Sequence, residues 1–207
     1  MVLKLLSPVG VRDQKCGAVA LSWFEGAGTL FIYRWDGRAQ LIEHPEAAPE
    51  GPTPLQERFS FLFRRAALES RSPLLVRAAA VADDLLSDPR DIGVLHGDLH
   101  QGNILPSSTR DRLAIDPKGL FGERTYDAAN ILCNPAGMDD LVANETRLLR
   151  NAEILAEMAG LDLTRLLAFT FAHACLSACW SEEDGDDPSL ALRVAAIVEP
   201  HVSGFAG

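Results

Sequence analysis

The sequence predicts an α+β protein in which a small front region of strands and one helix precedes a larger, mainly helical region. Residues 1–44 alternate short apolar runs with one helical segment. The stretch "PEAAPEGPTP" (residues 45–54) then interrupts the pattern with four prolines, which is typical of a linker or domain edge. Beyond it, apolar residues recur at spacings of three and four, which favours helices. We therefore divide the chain into regions 1–52 and 53–207.

The front region is predicted to be strand, helix and hairpin. "VLKLL" (residues 2–6) has the composition of a short strand, and "DQKCGAVALSWFEGAG" (13–28) that of a helix ended by glycine. In "TLFIYRWDGRAQLIEH" (29–44), two apolar runs flank Asp36-Gly37. Asp-Gly supplies the positive φ angles that a tight turn requires, so this segment predicts a β-hairpin.

The second region begins with helices and then contains two short strands. "GVLH" (residues 93–96) and "RLAID" (112–116) are predicted to pair as a hairpin that closes through "PSSTRDR". No internal repeat is present. Six helices are predicted around these strands, over residues 55–69, 73–88, 125–133, 139–158, 162–180 and 188–200.

Charge and composition exclude some classes of function. The net charge is −10 and the basic residues are scattered, whereas nucleic-acid binding requires clustered Lys and Arg. No apolar run reaches the roughly 20 residues needed to cross a bilayer, and the N-terminus lacks a signal-peptide pattern. We expect a cytoplasmic protein that binds neither nucleic acid nor membrane. Cys175 and Cys179, four residues apart in an apolar helix, are predicted to be buried thiols.

The most polar stretch between the predicted strands is "LHGDLHQGNIL" (residues 95–105). Asp98 and Asn103 are five residues apart, and Asp116 follows at the end of the second strand. If the two strands pair, these three side chains meet at one end of the hairpin. Carboxylate and amide oxygens suit Mg²⁺. One carboxylate could instead stay free of metal and accept a proton from an attacking hydroxyl, as in phosphoryl transfer from a nucleotide.

These motifs also resemble a known family. "HGDLHQGNIL" followed by "AIDPKG" resembles the Brenner-type phosphotransferase motif of aminoglycoside phosphotransferases, choline kinases and related small-molecule kinases of the protein-kinase-like fold. More narrowly, "VLHGDLHQGNIL", "LAIDPKGLFGERTYDAANILCNP" and "LSACW" resemble the aminoglycoside/hydroxyurea resistance kinases, over residues 53–200. The resemblance implies a protein-kinase-like fold and transfer of the γ-phosphate of ATP, with Mg²⁺, to a hydroxyl of a small molecule. A cationic aminoglycoside of the streptomycin type or hydroxyurea is the implied acceptor.

The resemblance implies a role for each polar residue of the central motifs. Asp98 becomes the catalytic base, and Asn103 and Asp116 become the Mg²⁺ ligands. His96 is implied to brace the loop as part of the catalytic group, and Lys118 to be an extra cation near the transferring phosphoryl group.

The same resemblance implies roles for two further residues around the loop. His100 is implied to contact the loop or the acceptor. Asp127 is implied to support the catalytic loop from the start of a helix, where free N–H groups favour a carboxylate.

The front region departs from the family pattern. Kinases of this fold hold the nucleotide with a glycine-rich hairpin, a strand lysine and a helix glutamate. The resemblance makes Lys4 the strand lysine and places Glu43, in the hinge-like "LIEH", at the nucleotide. Because Lys4 is so near the start, we expect a truncated front lobe without the glycine-rich turn. Such a lobe would expose strand edges through which a homodimer could form.

Two other functions compete with the kinase interpretation. The first is a weak or inactive kinase remnant that binds nucleotide or a partner chain, because the glycine-rich turn is missing. The second is a metal-dependent hydrolase, which is disfavoured because His96 and Asp98 would point to opposite faces of an extended strand end.

The sequence also suggests environments for three residues outside the central motifs. Glu123 and Arg124 are predicted to be surface residues. Trp180 and the following "SEEDGDD" could form an aromatic wall and an acidic rim for a polycationic acceptor, or simply a solvated turn.

Overall fold

The computed structural model describes residues 3–5, 34–35, 39–41, 51–69, 72–107 and 111–205. The chain forms two compact units. Residues 1–54 and 91–127 belong to one, which we call the strand unit, and residues 55–90 and 128–207 belong to the other, the helical unit. The predicted division into regions 1–52 and 53–207 stays a prediction.

The first sheet of the strand unit confirms two predicted elements. Strands β1 (Leu3–Leu5), β2 (Arg34–Trp35) and β3 (Ala39–Leu41) form an antiparallel sheet in the order β1-β3-β2. Trp35 lies opposite Gln40, so β2 and β3 pair across the Asp36-Gly37 position as the hairpin prediction requires. The helix predicted over residues 13–28 lies outside the described residues.

The other strands pair differently from the predicted hairpin. Strands β4 (Thr53–Pro54), β8 (Leu120–Glu123) and β5 (Ile92–Leu95) form a sheet in the order β4-β8-β5, and β8 runs antiparallel to β5. Strand β6 (Ile104–Ser107) pairs with β7 (Asp111–Ala114).

The prediction that "GVLH" pairs with "RLAID" is therefore wrong. Because β6 and β7 are separated by only three residues, their pairing closes a much shorter loop than a β5–β7 hairpin would. Strand β5 instead meets β8, where the buried side chains of Leu95 and Leu120 lie opposite each other.

Among the residues that the structure describes, the helices contain most of the buried apolar side chains. The longest, α6, packs against α1, α2, α5 and α7 within the helical unit, and Phe169 and Phe171 on it are fully buried. The helices are α1 (Leu55–Leu68), α2 (Pro73–Ser87), α3 (Thr125–Leu132), α4 (Asp139–Val142), α5 (Glu145–Ala159), α6 (Leu163–Asp184) and α7 (Ser189–Val198).

Five of the six predicted helices are confirmed, and one is corrected. The single helix predicted over 139–158 is two helices, α4 and α5. The break falls at Asn144, whose side-chain oxygen accepts a hydrogen bond from the backbone N–H of Arg147 at 3.0 Å. Asn at this position favours a new helix start because it satisfies an otherwise unpaired N–H group.

Helix α6 is long and apolar enough to cross a membrane, but 78% of the apolar window is buried inside the structure, as in the core helix of a globular protein. Cys175 and Cys179 on this helix are free and buried, which confirms the predicted thiols. Burial raises the pKa of the Cys179 thiol to about 11, so neither a thiolate nor its chemistry is expected there at neutral pH.

A buried cation joins two helices of the helical unit. Arg165, near the start of α6, is only 4% exposed, and its guanidinium donates to the carbonyl oxygens of Asp88 at 3.0 Å and Leu85 at 3.4 Å. These carbonyls lie at the C-terminal end of α2, where a cation is favoured by the helix dipole. Asp162 caps α6 by accepting from the backbone N–H groups of Thr164 and Arg165.

Candidate active site

The candidate site begins where β5 ends and the chain turns sharply. His96 follows the strand and is 3% exposed. Gly97 adopts a φ of +78°, and a Cβ atom there would lie 2.7 Å from Cγ of Leu120 on β8. Only glycine combines that conformation with so little space. The turn places Asp98, a half-buried residue, directly after a buried segment.

Asp127, in the first turn of α3, anchors this turn. Its two carboxylate oxygens accept hydrogen bonds from the backbone N–H groups of His96 at 2.8 Å and Gly97 at 2.7 Å. Burial raises the pKa of Asp127 to about 6, and the two N–H donors act in the opposite direction. The carboxylate therefore fixes the backbone N–H groups of the two residues that precede Asp98, which agrees with the supporting role implied by the resemblance.

The imidazole of His96 joins this turn to the end of β7. Its Nε2 lies 2.8 Å from the carbonyl oxygen of Ile115, and its Nδ1 lies 3.3 Å from the backbone nitrogen of Asp98. A carbonyl only accepts, so Nε2 carries the proton and Nδ1 accepts from the Asp98 N–H. Burial lowers the pKa of His96, which keeps this ring neutral at pH 7. The contacts of His96 are those of a bracing residue.

The segment from Asp98 to Asn103 closes on itself. A 3₁₀ turn covers Gln101–Asn103, and Nδ1 of His100 accepts from the backbone N–H of Gly102 at 3.1 Å. The side-chain amide of Asn103 donates from Nδ2 to the carbonyl oxygen of Asp98 at 2.9 Å. This bond uses the amide nitrogen, so the Oδ1 atom of Asn103 is the end that can serve a cation.

The β6–β7 ribbon brings Asp116 to the same place. Ile104 lies opposite Ala114, and the backbone N–H of Ile115 donates to the carbonyl oxygen of Asn103 at 2.8 Å. Asn103 and Asp116 therefore flank the same end of the ribbon. Asp116 has a φ of +62°, which is uncommon for residues other than glycine and is concentrated at functional sites.

The donor set at this end of the ribbon is one carboxylate and one amide oxygen. Within the described ranges, no group of three or more His, Cys, Asp or Glu side chains is arranged to hold a metal ion. Mg²⁺ does not require such a group, because it is commonly held by one or two carboxylates and keeps water or phosphate oxygens as its other ligands. The residues present thus fit Mg²⁺.

Asp98 lies between two donors. The Nζ atom of Lys118 is 3.5 Å from its Oδ2, and the Nε2 atom of His100 is 4.0 Å from its Oδ1. The backbone N–H of Lys118 also donates to the carbonyl oxygen of His96 at 2.7 Å. Lys118 is thereby held beside the turn that carries Asp98.

Glu123, at the end of β8, corrects a prediction. Its side chain is 2% exposed and accepts a hydrogen bond at 2.9 Å from the hydroxyl of Thr125, so its assignment to the surface is wrong. The signal that could have found it is position, because Glu123 ends a central strand directly before a helix. Arg124 is exposed, as predicted, and it pairs with the Asp91 carboxylate.

The Trp180 segment is helical. The guanidinium carbon of Arg58 lies 4.4 Å from the centre of the Trp180 ring, which also meets His173 edge-on at 6.2 Å. Helix α6 continues to Asp184 and ends with Gly185 in the left-handed conformation, so most of "SEEDGDD" is the last helical turn and its cap.

The predicted nucleotide-contacting residues are only partly located. The backbone of Lys4 lies in β1 opposite Gln40, and Glu43 lies outside the described residues. Their roles stay predictions.

Comparison with known proteins identifies the family. Residues 37–185 match the family model described as "Aminoglycoside/hydroxyurea antibiotic resistance kinase". The chain belongs to this family. It is 40% identical over 184 residues to streptomycin 3''-kinase of Klebsiella pneumoniae, covering 82% of this chain and 68% of that protein. It is 38% identical over 123 residues to streptomycin 6-kinase of Streptomyces glaucescens, covering 58% of this chain and 38% of that protein.

A third relative matches over more of the chain. Hydroxyurea phosphotransferase of Kitasatospora aureofaciens is 28% identical over 237 residues, which cover 95% of this chain and 66% of that protein. Membership of this kinase family places the chain among phosphotransferases with hydroxyl acceptors, and the inactive-remnant alternative is not favoured.

Solved structures confirm the predicted protein-kinase-like α+β fold. Choline kinase LicA of Streptococcus pneumoniae superposes with a TM-score of 0.62 at 10% identity, covering 98% of this chain and 85% of that one. Plasmodium vivax ethanolamine kinase superposes with a TM-score of 0.53 at 12% identity, covering 97% of this chain and 76% of that one. At such low identity the likeness concerns the fold alone.

Proposed function

We propose that this protein transfers the γ-phosphate of ATP, with Mg²⁺, to a hydroxyl group of a small molecule. The observation that supports this best is the placement of Asp98. Backbone bonds to Asp127, His96 and Asn103 hold the residue in a fixed turn, while its carboxylate meets charged and polar side chains. Phosphoryl transfer depends mainly on positioning and electrostatics, and a rigid loop with an outward carboxylate supplies both.

Asp98 is the proposed general base. As the acceptor oxygen forms its bond to the γ-phosphorus, the bond from phosphorus to the β–γ bridging oxygen breaks and the hydroxyl proton moves to the Asp98 carboxylate. A base of this kind contributes roughly 10²–10⁴-fold to the rate. His96 does not exchange protons with substrate in this scheme, because both of its ring nitrogens already bond to the protein backbone.

Asn103 and Asp116 are the proposed Mg²⁺ ligands. When bound, the ion would neutralise charge on the nucleotide phosphates. The amide oxygen of Asn103 and the carboxylate of Asp116 would hold it. Lys4 and Glu43 remain the proposed contacts of the nucleotide in the front region.

The proposed acceptor is a streptomycin-type aminoglycoside or hydroxyurea. Two relatives are named for streptomycin and one for hydroxyurea. The net charge of −10 favours the approach of a polycationic aminoglycoside through long-range attraction. We rank the aminoglycoside first, because the 40% identical relative is a streptomycin kinase.

The test is a transfer assay with purified protein, Mg-ATP and either streptomycin or hydroxyurea, followed by ³¹P NMR of the product. Asp98→Asn should abolish transfer because the base is gone. Asp140→Asn is the matched control, since the Asp140 side chain is fully exposed in the helical unit. It should transfer phosphate like the wild type. Nucleotide binding without transfer to any acceptor would contradict the proposal and favour a binding remnant.

Two further expectations belong to this proposal. We infer a cytoplasmic location, where ATP is available, and association into a homodimer. Cell fractionation and sedimentation equilibrium test these, and a membrane-bound or strictly monomeric protein would contradict them.

A further inference from the structure

We propose that Glu123 is a positioning residue of the active site, whose buried carboxylate holds the start of α3 so that Asp127 reaches the turn before Asp98. This inference rests on the function proposed above and deepens it. It starts from a buried acid that the proposed reaction does not use. The Glu123 side chain is 2% exposed and accepts a hydrogen bond at 2.9 Å from the buried hydroxyl of Thr125. An apolar residue would fill this place at lower cost, but it would lack the bond to Thr125.

The bond between Glu123 and Thr125 lies at the junction of β8 and α3. Glu123 is the last residue of β8 and lies opposite Ile92, the first residue of β5. Thr125 is the first residue of α3. The bond therefore joins the end of the strand to the first turn of the helix, and it restrains the direction in which α3 leaves the sheet.

That direction decides whether Asp127 reaches the catalytic loop. Asp127 accepts from the backbone N–H groups of His96 and Gly97, which follow the far end of β5. From Ile92 to His96 an extended chain rises about 13 Å, at about 3.3 Å per residue. A helix with as many residues as the segment from Glu123 to Asp127 rises only about 6 Å. The carboxylate spans the rest of this distance only when the first turn of α3 is directed along β5.

A second contact at this junction lies on the surface. The Arg124 guanidinium pairs with the Asp91 carboxylate, and the Arg124 N–H donates to the Asp91 carbonyl oxygen at 3.3 Å. Both residues are exposed, and exposed ion pairs are weak because water and salt screen them. The buried bond of Glu123 is therefore the stronger side-chain restraint on the start of α3.

Loss of this restraint should act on the rate of transfer and not on nucleotide binding. Asp127 fixes the two residues before Asp98, so a misdirected α3 would displace the proposed base. A misplacement of about 1 Å can lower a rate by about 10²-fold. The proposed Mg²⁺ ligands flank the β6–β7 ribbon instead, so KM for Mg-ATP should not change.

The experiment removes the bond from either side. Thr125→Val removes the donor at nearly equal volume, Glu123→Met removes the acceptor at similar length, and Thr125→Ser keeps the hydroxyl. Thr170→Val is the matched control, because the Thr170 hydroxyl is also buried and donates to a carbonyl oxygen at 2.7 Å, but within α6 of the helical unit.

Three quantities are measured for each variant. They are kcat and KM with Mg-ATP and streptomycin, the free energy of unfolding in urea, and the hydrogen exchange of the His96 and Gly97 amides by NMR. The exchange rates report on the Asp127 bonds directly and require no catalytic activity. If Thr125→Val does not fold, Glu123→Met provides the same test.

We expect Thr125→Val and Glu123→Met to lower kcat by roughly 10–100-fold at unchanged KM for Mg-ATP, and to accelerate exchange of the two amides. Thr125→Ser should keep the wild-type kcat. Thr170→Val should lower stability without changing kcat or the exchange of these amides.

A double-mutant cycle with Asp127→Asn tests the route of the effect. If Glu123 acts through Asp127, adding Thr125→Val to Asp127→Asn should lower kcat no further. Additive losses of kcat, or wild-type amide exchange in both Thr125→Val and Glu123→Met, would overturn the inference. Failure of the proposed function is a separate result, in which the wild type transfers no phosphate while the exchange rates still respond to these substitutions.

Discussion

Two aspartates, Asp127 in the strand unit and Asp162 in the helical unit, make the same local interaction with different consequences. Each accepts hydrogen bonds from the backbone N–H groups of two consecutive residues. Asp162 bonds to its own helix and starts α6, whose Arg165 then closes the end of α2. Asp127 bonds instead to a distant segment, across about thirty residues of sequence, and fixes the turn before Asp98.

The two hydrogen-bond networks differ in the groups at which they end. Around Arg165 the polar groups bond to one another inside the helical unit, so the network stabilises the fold. Around Asp98 the backbone groups are satisfied by Asp127, His96 and Asn103, while the carboxylate meets the side chains of Lys118 and His100. A network of satisfied backbone groups that ends in a half-exposed carboxylate builds a site.

Among the further substitutions that compare these two regions, Asp116→Asn should have the largest effect. Loss of a carboxylate ligand should weaken Mg²⁺ binding and lower transfer by roughly 10²–10³-fold, which is what several kcal/mol of metal stabilisation amounts to. Asn tolerates the left-handed conformation as Asp does, so far-UV circular dichroism should not change. The measurement is transfer rate against Mg²⁺ concentration, with EDTA abolishing wild-type activity. An unaltered Mg²⁺ dependence would place the ion elsewhere.

A smaller effect should separate the two aspartates. Asp127→Asn points an NH₂ group at a backbone donor and should lower the free energy of unfolding by about 1–3 kcal/mol. The transfer reaction should also be slower, because the turn that carries Asp98 loosens. Asp162→Asn still caps the helix, because Asn is also a favoured N-cap residue. The free energy of unfolding should fall by at most about 1 kcal/mol, and kcat should not change. Both are measured by urea unfolding and steady-state kinetics. Equal effects on kcat would remove the distinction between the two regions.

The smallest effect should appear in the pH dependence of stability. The pKa of His96 is lowered in the folded state, so the unfolded chain binds that proton more readily and acidification below about pH 6.5 should cost stability. Asp127, with its pKa raised to about 6, acts oppositely between about pH 4 and 6, because the folded state then holds the extra proton.

Urea unfolding at pH 5 and pH 7.5 measures this balance. His96→Gln should remove the acid-sensitive part and leave a shallower loss of stability on acidification, whereas Asp140→Asn should behave like the wild type. A pH slope that does not change in His96→Gln would show that His96 is not buried and neutral as described.

Much of the candidate site could be predicted from the sequence because its chemistry depends on local spacing. Asp98 and Asn103 lie in one short loop, and Asp116 follows a strand that pairs with the residues directly after Asn103. The partner of that strand could not be predicted from the same pattern. Pairing depends on loop closure and on which buried faces meet, as Leu95 and Leu120 do, and neither is visible in a single apolar run.

The burial of Glu123 could have been inferred only from its position. A glutamate is usually a surface residue, but Glu123 ends the central strand of its sheet, where it is buried and accepts a hydrogen bond from Thr125. The helix break at Asn144 was in principle visible, since Asn is a favoured cap, but the apolar period continues on both sides of it.

The most direct measurement of the central claim is a crystal structure of the protein with Mg²⁺ and a non-hydrolysable ATP analogue. We predict one ion coordinated at about 2.1 Å by the amide oxygen of Asn103 and a carboxylate oxygen of Asp116, with the Asp98 carboxylate facing the terminal phosphoryl group. An ion bound by other residues, or a terminal phosphoryl group remote from Asp98, would contradict this account.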